Sequence, residues 1–415
     1  MSSNDRQQKT SFVETSQSLV VAFVLAMVFR GFVVEGFVIP TGSMAPTLFG
    51  QHVLKHSDQT GRDFAVGIGA RQTISPDRYT DPDLGRSIPL GTANAKVNIP
   101  RAGDRVLVLK TLYPFFEPER FDVVVFKNPT DTQGASANYI KRLIGLPGET
   151  IWIADGDIFA KDGDPEFKIQ RKSEHVQRAL WRPVSNSDAI PTDAFALTLL
   201  WRGPPWGGRS ENVWTFQNRV WSCNTSEPSV LAWNNNRMPI DDWLPYNMLM
   251  NAVPHVPVSD IRVSATILPE TSGLEVGFTL TAIGHRFNWS LTGETLSLSM
   301  TPLGGGESVD VTATTDSLVA GEAVRIECWH VDQAMAMYIN GQRVAELLYD
   351  FGPEQRLRLA TGVGPFATIQ EIADKSGSPP KLMWNFEGSP LTLTLLQVDH
   401  DLYYRSSILP SRATR

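Results

Sequence analysis

The chain has 415 residues, of which 42% are hydrophobic and 20% charged, with a formal net charge of −7. That length holds two or three domains, the hydrophobic share excludes wholesale disorder, and the acidic balance argues against a nucleic-acid partner, which requires a basic face. Two cysteines exclude a disulfide-dense scaffold, and the scattered histidines show no HExxH spacing, so no metal or other cofactor is expected.

The first element is the apolar run "SLVVAFVLAMVF", Ser18–Phe29, continued as "RGFVVEGFVI" to Ile39. About 20 residues match the hydrocarbon thickness of a bilayer. A cleaved signal and a buried core helix compete with a transmembrane anchor over residues 18–39. The anchor reading places Arg30 and Glu35 near the far interface, where Arg30 snorkels. Arg6 and Lys9 precede the run, diluted by Asp5 and Glu14, and put residues 1–17 in the cytoplasm.

Next comes "FVIPTGSMAPTL", Phe37–Leu48, whose prolines and glycine suit a tight loop around Ser43. Residues 50–100 are polar and rich in Gly, Pro and Asp, and read as a surface excursion. Strand signals follow in "DRVLVLK" (104–110), "FDVVVFK" (121–127) and "NYIKRLIG" (138–145). "TIWIADGDIFAKDG" (150–163) reads as a hairpin turning at Asp155-Gly156. Short β-branched runs between Pro/Gly turns indicate an antiparallel β-fold. Seven of the eleven tryptophans fall between Trp181 and Trp243, in a Pro-rich context that suits core and rim packing. From about residue 258 a second β-series runs to "PLTLTLLQV", with Asn340-Gly341 as a two-residue turn. Six or more alternating strands without a strong helix argue for a two-sheet sandwich, so the fold class is mainly β.

A serine is a poor nucleophile until a base takes its proton. The histidines of the first β-region, His52 and His56, belong to no triad pattern. Lysine is the other option, if burial lowers its pKa. In "NYIKRLIGLPGE" the period-2 alternation puts Tyr139, Lys141 and Leu143 on one face. On pattern alone that lysine is either desolvated by its neighbours or snorkelling to solvent.

The segment "FVIPTGSMAPTL" resembles the nucleophile box of type I signal peptidases, whose common form is SGSMxPTL after a transmembrane helix. "DRVLVLK", "RFDVVVFKNP", "YIKRLIGLPGE" and the 150–163 hairpin resemble that family's following segments, in order, over about 120 residues. The resemblance implies a membrane-anchored Ser/Lys endopeptidase that removes signal peptides from exported preproteins after small-x-small sites. It makes Ser43 the nucleophile and Lys141 the general base. Thr41, in the place of the family's first serine, becomes the side-chain oxyanion donor beside the Ser43 amide. Arg142 and Asp122 become supporting residues around the site, and Met44 and Pro46 substrate-binding positions. The implied location is the bacterial inner membrane, single-pass, with the N-terminus cytoplasmic and the catalytic domain outside. The partners are signal peptides and the lipid bilayer. By its residues, "YPFFEP" (113–118) is either an aromatic surface that dips into the interface or a hairpin tip packed on its own domain.

The family's last box, of the form GDNSxxSxDSR, has no counterpart in this sequence; "RPVSNSDAIP" (182–191) carries only a superficial "NSD". A β-sandwich stands in the chain instead, expected over 178–396 as an insertion into a peptidase-like domain of 40–177, with 397–415 ("VDHDLYYRSS…") as a return strand. The sandwich resembles concanavalin/laminin-G-like jelly rolls, for which a glycan or protein ligand is the expectation. "NNNRMPIDDW" (234–243) offers oxygen ligands for Ca²⁺ or is a polar loop. The competing function is a membrane-tethered binding module, catalytically inactive or truncated, that works through the sandwich.

Overall fold

The computed structural model describes residues 3–57, 60–68, 79–84, 89–90, 100–128, 138–190, 203–209, 213–247, 255–364 and 377–405. Among them the chain forms two compact units. The first comprises Met1–His52, Gly67–Gln72 and Pro100–Leu146; the second comprises Val53–Val66, Thr73–Ile99 and Pro147–Arg415.

In the first unit, helix α1 spans Ser3–Val28 and ends in a π-helical turn, Phe29–Val33. The stretch Val13–Val33 has a mean hydropathy of 1.8 and none of it is buried, so it is long and apolar enough to cross a membrane. The apolar run does not stay helical to Ile39. Strand β1, Val34–Val38, takes over and pairs antiparallel with β2, Arg105–Leu109, from Val34 opposite Leu109 to Val38 opposite Arg105. Two valines and a phenylalanine in five residues favour the pleated state once a partner strand is present. Lys110 holds the junction, its Nζ lying 2.8 Å from Glu35 Oε2 and donating to Gly31 O at 3.2 Å. Helix α1 also begins well before residue 18, so part of the expected cytoplasmic tail is helical. Strands β3, Val123–Lys127, and β4, Asn138–Arg142, form the second pair of this unit, with Val124 opposite Lys141.

In the second unit, the polar composition of residues 50–100 concealed ordered structure. The neighbouring strands His52–His56 and Asp63–Gly67, whose stretch Val53–Val66 belongs to this unit, bury Val53 and Val66. The rest of the excursion lies largely outside the described residues. The expected hairpin is present as β5, Thr150–Ala154, and β6, Asp157–Lys161, with β7, Lys168–Ile169, at its edge. It belongs to the same compact unit as the sandwich. Its turn is not a solvent tip: Asp157 is buried, and Asp155 is held by Arg356.

The sandwich has one sheet in the order Trp214–Gln217, Val220–Cys223, Leu391–His400, Ile261–Pro269, Val324–Val331, Ala334–Ile339 and Gln342–Leu348, with Arg182–Asn186 also paired to Leu391–His400. The facing sheet runs Trp206–Gly208, Ser229–Trp233, Lys381–Glu387, Glu275–Ala282, His285–Thr292, Thr295–Pro302 and Val309–Thr314. Alternate residues of both enter one core, among them Ile261, Val263, Val276, Phe278, Trp289, Trp384 and Leu393. Fully burying such side chains contributes about 1.5–3 kcal/mol each. Trp289 Nε1 donates to Ala336 O at 2.9 Å and ties the sheets together. Six tryptophans of the core, including Trp206, Trp214, Trp221 and Trp233, fill space in the manner expected. Asn340 and Gly341 both have positive φ, as their hairpin turn requires.

Two short helices were not foreseen: α2, Glu174–Leu180, and α3, Pro353–Thr361. Of the expected return strand, residues 397–400 are the end of the sandwich strand Leu391–His400, and Tyr404 then forms an antiparallel bridge with Gly156 of the 150–163 hairpin. "RPVSNSDAIP" likewise supplies a sandwich strand, Arg182–Asn186. Cys223 and Cys328 are both buried and free. Their strands are separated by two others, about 14 Å at ordinary strand spacing, which is beyond disulfide reach.

Candidate active site

Ser43 lies in a single 3₁₀ turn, Gly42–Met44, between β1 and the rest of the loop. Both ends of that loop are fastened by one residue. Asp104, just before β2, accepts from Ile39 N through its carbonyl at 2.9 Å and donates its own amide to Phe49 O at 2.9 Å. Its carboxylate Oδ2 accepts from Phe49 N at 2.7 Å. The chain therefore leaves and returns through one clamp, with Ser43 at the crest of the excursion.

Two glycines make that closure sterically feasible. A Cβ on Gly50 would fall 2.2 Å from the Thr41 carbonyl carbon, and one on Gly103 would fall 1.9 Å from Ile39 O. Sequence reading passed over Asp104, Gly103 and Gly50. The "AGDR" lead into the strand was the available signal, because a glycine, with no Cβ, is the default residue where the backbone is closely approached. Gly103→Ala is expected to push the loop aside and lower kcat by about 10²-fold, the cost of roughly 1 Å of misplacement. A kcat within twofold of wild type would show the loop position to be unimportant.

Lys141 is on β4 and brings its Nζ 2.6 Å from Ser43 Oγ, donating also to Ile140 O at 2.9 Å. The two hydrogen bonds fix the terminal nitrogen beside the serine hydroxyl. The Tyr139 ring lies 5.8 Å from Nζ, in keeping with the shared strand face. Burial lowers the Lys141 pKa from the usual lysine value, because desolvation disfavours the charged amine. The nitrogen that faces Ser43 is thus easier to deprotonate than a surface lysine, as a general base requires. Ser43 itself is exposed.

The remaining residues sort by contact. Thr41 precedes the 3₁₀ turn in extended conformation and does not spend its hydroxyl on capping it. Together with the early amides of that turn, which have no intrahelical acceptor, it flanks the serine. Met44 is buried, and Pro46, half-buried, follows a cis Ala45-Pro46 bond. Arg142 donates to Phe121 O at 2.7 Å and reaches Thr47 Oγ1 at 3.5 Å, so it links β4 to the serine loop. Asp122 works locally: its carbonyl accepts from Leu143 N at 2.8 Å and its carboxylate from Glu119 N at 2.9 Å.

In the second unit, the acidic loop considered for Ca²⁺ uses its carboxylates within the protein. Asp241 Oδ1 accepts from Trp243 N at 3.0 Å, and Asp242 takes Val256 N at 3.1 Å and pairs with Arg405.

Residues 87–198 match the family model for signal peptidase, peptidase S26. That stretch contains Asp122, Lys141 and Arg142; Ser43 lies upstream of it. Signal peptidase I of Pseudomonas aeruginosa is 32% identical over 141 residues, which cover 34% of this chain and 34% of that protein. Signal peptidase I of Leptolyngbya laminosa is 37% identical over 142 residues, covering 32% of this chain and 60% of that protein. The chain therefore spans about a third of the first relative and less than two thirds of the second. Among solved structures, the carbohydrate binding module CBM66 from Bacillus subtilis matches 48% of this chain and 97% of its own, at 6% identity and a TM-score of 0.29. A likeness that distant carries no argument about ligands.

Proposed function

We propose that this chain, which carries a region of the signal peptidase S26 family, is a membrane-anchored serine endopeptidase that removes signal peptides from exported preproteins. The observation that carries this reading is the 2.6 Å contact between Lys141 Nζ and Ser43 Oγ, with burial lowering the lysine pKa. In the neutral form Lys141 takes the proton as Ser43 Oγ attacks the scissile carbonyl carbon. The carbonyl oxygen becomes an oxyanion, accepting from the Ser43 amide and the Thr41 hydroxyl. Collapse of the tetrahedral intermediate breaks the C–N bond, and Lys141 returns the proton to the leaving amine. Water, deprotonated by the same lysine, then releases the acyl group from Ser43.

The test is cleavage of a precursor after its small-x-small motif by the purified full chain in detergent. No cleavage, beside an active control peptidase, would sink the enzymatic reading and favour the tethered binding module. Thr41→Val is expected to lower kcat by about 10²–10³-fold, the usual cost of one oxyanion donor, with Thr41→Ser close to wild type. Equal loss in both variants would point to a packing role.

Apolar side chains of the first unit support contact with lipid. Leu107 is 79% exposed, Phe115 78% and Phe116 66%, and exposed apolar surface on that scale favours an interface over water. The double variant Phe115→Asp, Phe116→Asp is expected to lose about tenfold in kcat/KM in liposomes and little in detergent. Equal loss in both media would remove the lipid contact from the account. In this reading the N-terminus is cytoplasmic, and the catalytic domain faces outward from the bacterial inner membrane.

A further inference from the structure

The second unit contains a cleft of about 720 Å³ that the proposed peptidase chemistry does not use. Edge strand β7 forms one wall, and the approach to α3, Asp350–Gln355, forms the other. Its volume is in the range of ligand-binding sites. We propose that this cleft takes an extended, basic peptide segment of a partner protein, added as a fourth strand to the β5–β6–β7 sheet. The proposal does not depend on the peptidase reading.

The backbone supplies the first argument. Phe159 lies opposite Ile169 and Ala160 opposite Lys168, and Gln170 N donates to Ile158 O at 2.8 Å. Residues 168 and 170 therefore turn their amide and carbonyl groups towards β6. By the alternation of an antiparallel ladder, Phe167 and Ile169 turn theirs to the other side, where no strand pairs among the described residues. An open edge bordering a cleft is a template for one more strand.

Side chains supply the second. Trp152 and Phe167 meet edge to face, with ring centroids 5.4 Å apart and planes at 84°. Both are half-buried and, with Ile169, pack on Phe159, Ala154 and Leu357, so the floor is apolar and firmly backed. The third argument is charge. Lys168 is engaged by Asp164 at 2.9 Å and Arg171 by Asp350 at 2.6 Å. Lys161 Nζ lies 4.6 Å from the Phe167 ring, but with exposed Glu166 and Glu354 the acids Asp164, Glu166, Asp350 and Glu354 outnumber Lys161, Lys168 and Arg171, which leaves the rim negative. A strand that alternates apolar with lysine or arginine side chains satisfies all three features, since alternate residues face the floor and the rim.

The experiment is fluorescence anisotropy on the full chain in neutral detergent, with a short labelled peptide alternating valine and lysine. Saturable binding is expected. N-methylation of alternate amides, which leaves the side chains unchanged, should weaken it by about tenfold or more by removing the strand hydrogen bonds. The double variant Glu166→Lys, Glu354→Lys should weaken the lysine peptide similarly, and a valine–glutamate peptide should not bind the wild type. Absence of saturable binding overturns the proposal. So does undiminished binding of the N-methylated peptide, or equal affinity for the lysine peptide in the charge-reversed variant.

Discussion

Ser43→Ala and Lys141→Ala are each expected to reduce kcat by about 10³-fold or more, roughly 4 kcal/mol of barrier, while the thermal transition stays at its wild-type position. In the proposed reaction the serine variant removes the atom that attacks. The lysine variant leaves the hydroxyl in place without an acceptor for its proton, and the two losses should not add when combined. Lysine chemistry also predicts a pH signature. Only the neutral amine accepts the proton, so kcat/KM should rise with pH along a limb set by Lys141. Burial lowers that group from the usual lysine value, which places the limb below the ordinary lysine range near 10.4. Retention of more than a tenth of wild-type kcat in Lys141→Ala would exclude it as the base.

The second large effect belongs to Arg356. Its guanidinium on α3 is buried, with Nε 3.0 Å from Asp155 and 3.4 Å from Asp157 and Nη2 2.7 Å from Asp260. One cation thus serves the β5–β6 turn and the start of a sandwich strand together. A second, Lys172, pairs with Asp332 and lies 3.0 Å from Asp401. Arg356→Met keeps much of the volume and leaves three buried carboxylates without it. The expected loss is about 3–5 kcal/mol, as for other broken buried pairs, or on the order of 10 °C in Tm.

The loss should depend on pH with a definite sign. Burial raises Asp155 from the usual carboxylate value to about 6 and pushes Asp157 well above it. A raised folded-state pKa contributes stability that is complete below the unfolded value, near 4, and is lost as pH rises through about 6. The wild type should therefore gain from these groups at pH 5 relative to pH 8. In Arg356→Met the gap should widen, because protonation is the remaining way to neutralise the cluster. A variant within 1 kcal/mol of wild type at pH 7 by denaturant titration would contradict this account of the cluster.

These two sites differ in how far the sequence disclosed them. Ser43 and Lys141 each sit in a contiguous motif, and strand alternation alone puts Lys141 on the face of Tyr139. The Arg356 cluster has no such locality. Lys172, Asp155, Asp157, Asp260, Asp332 and Arg356 are spread over about 200 residues, and each alone looks like a surface charge. Asp155-Gly156 was legible as a hairpin turn, but its burial against Tyr403 and Arg356 comes only from the tertiary fold. The apolar run to Ile39 failed for a different reason. Hydropathy is similar for a helix and a valine-rich strand, and the switch at Val34 is decided by pairing with β2, which is remote in sequence. Sandwich strands were legible because their alternation is local; the order in which they pair was not.

The junction at Val33–Val34 has a further meaning for the proposed enzyme. No flexible tether intervenes between the apolar helix and the sheet: the chain passes from turn to paired strand in one step, and Lys110 fastens the crossing. Ser43 follows Val33 by ten residues, a contour of at most about 34 Å. With α1 seated in a bilayer, that short, stiff stalk acts as a ruler. It sets the height above the lipid at which a peptide bond can be cut. In the proposed enzyme, selection among substrates would then rest partly on altitude, and a suitable small-x-small site held far from the membrane would be out of range however well it fitted the serine.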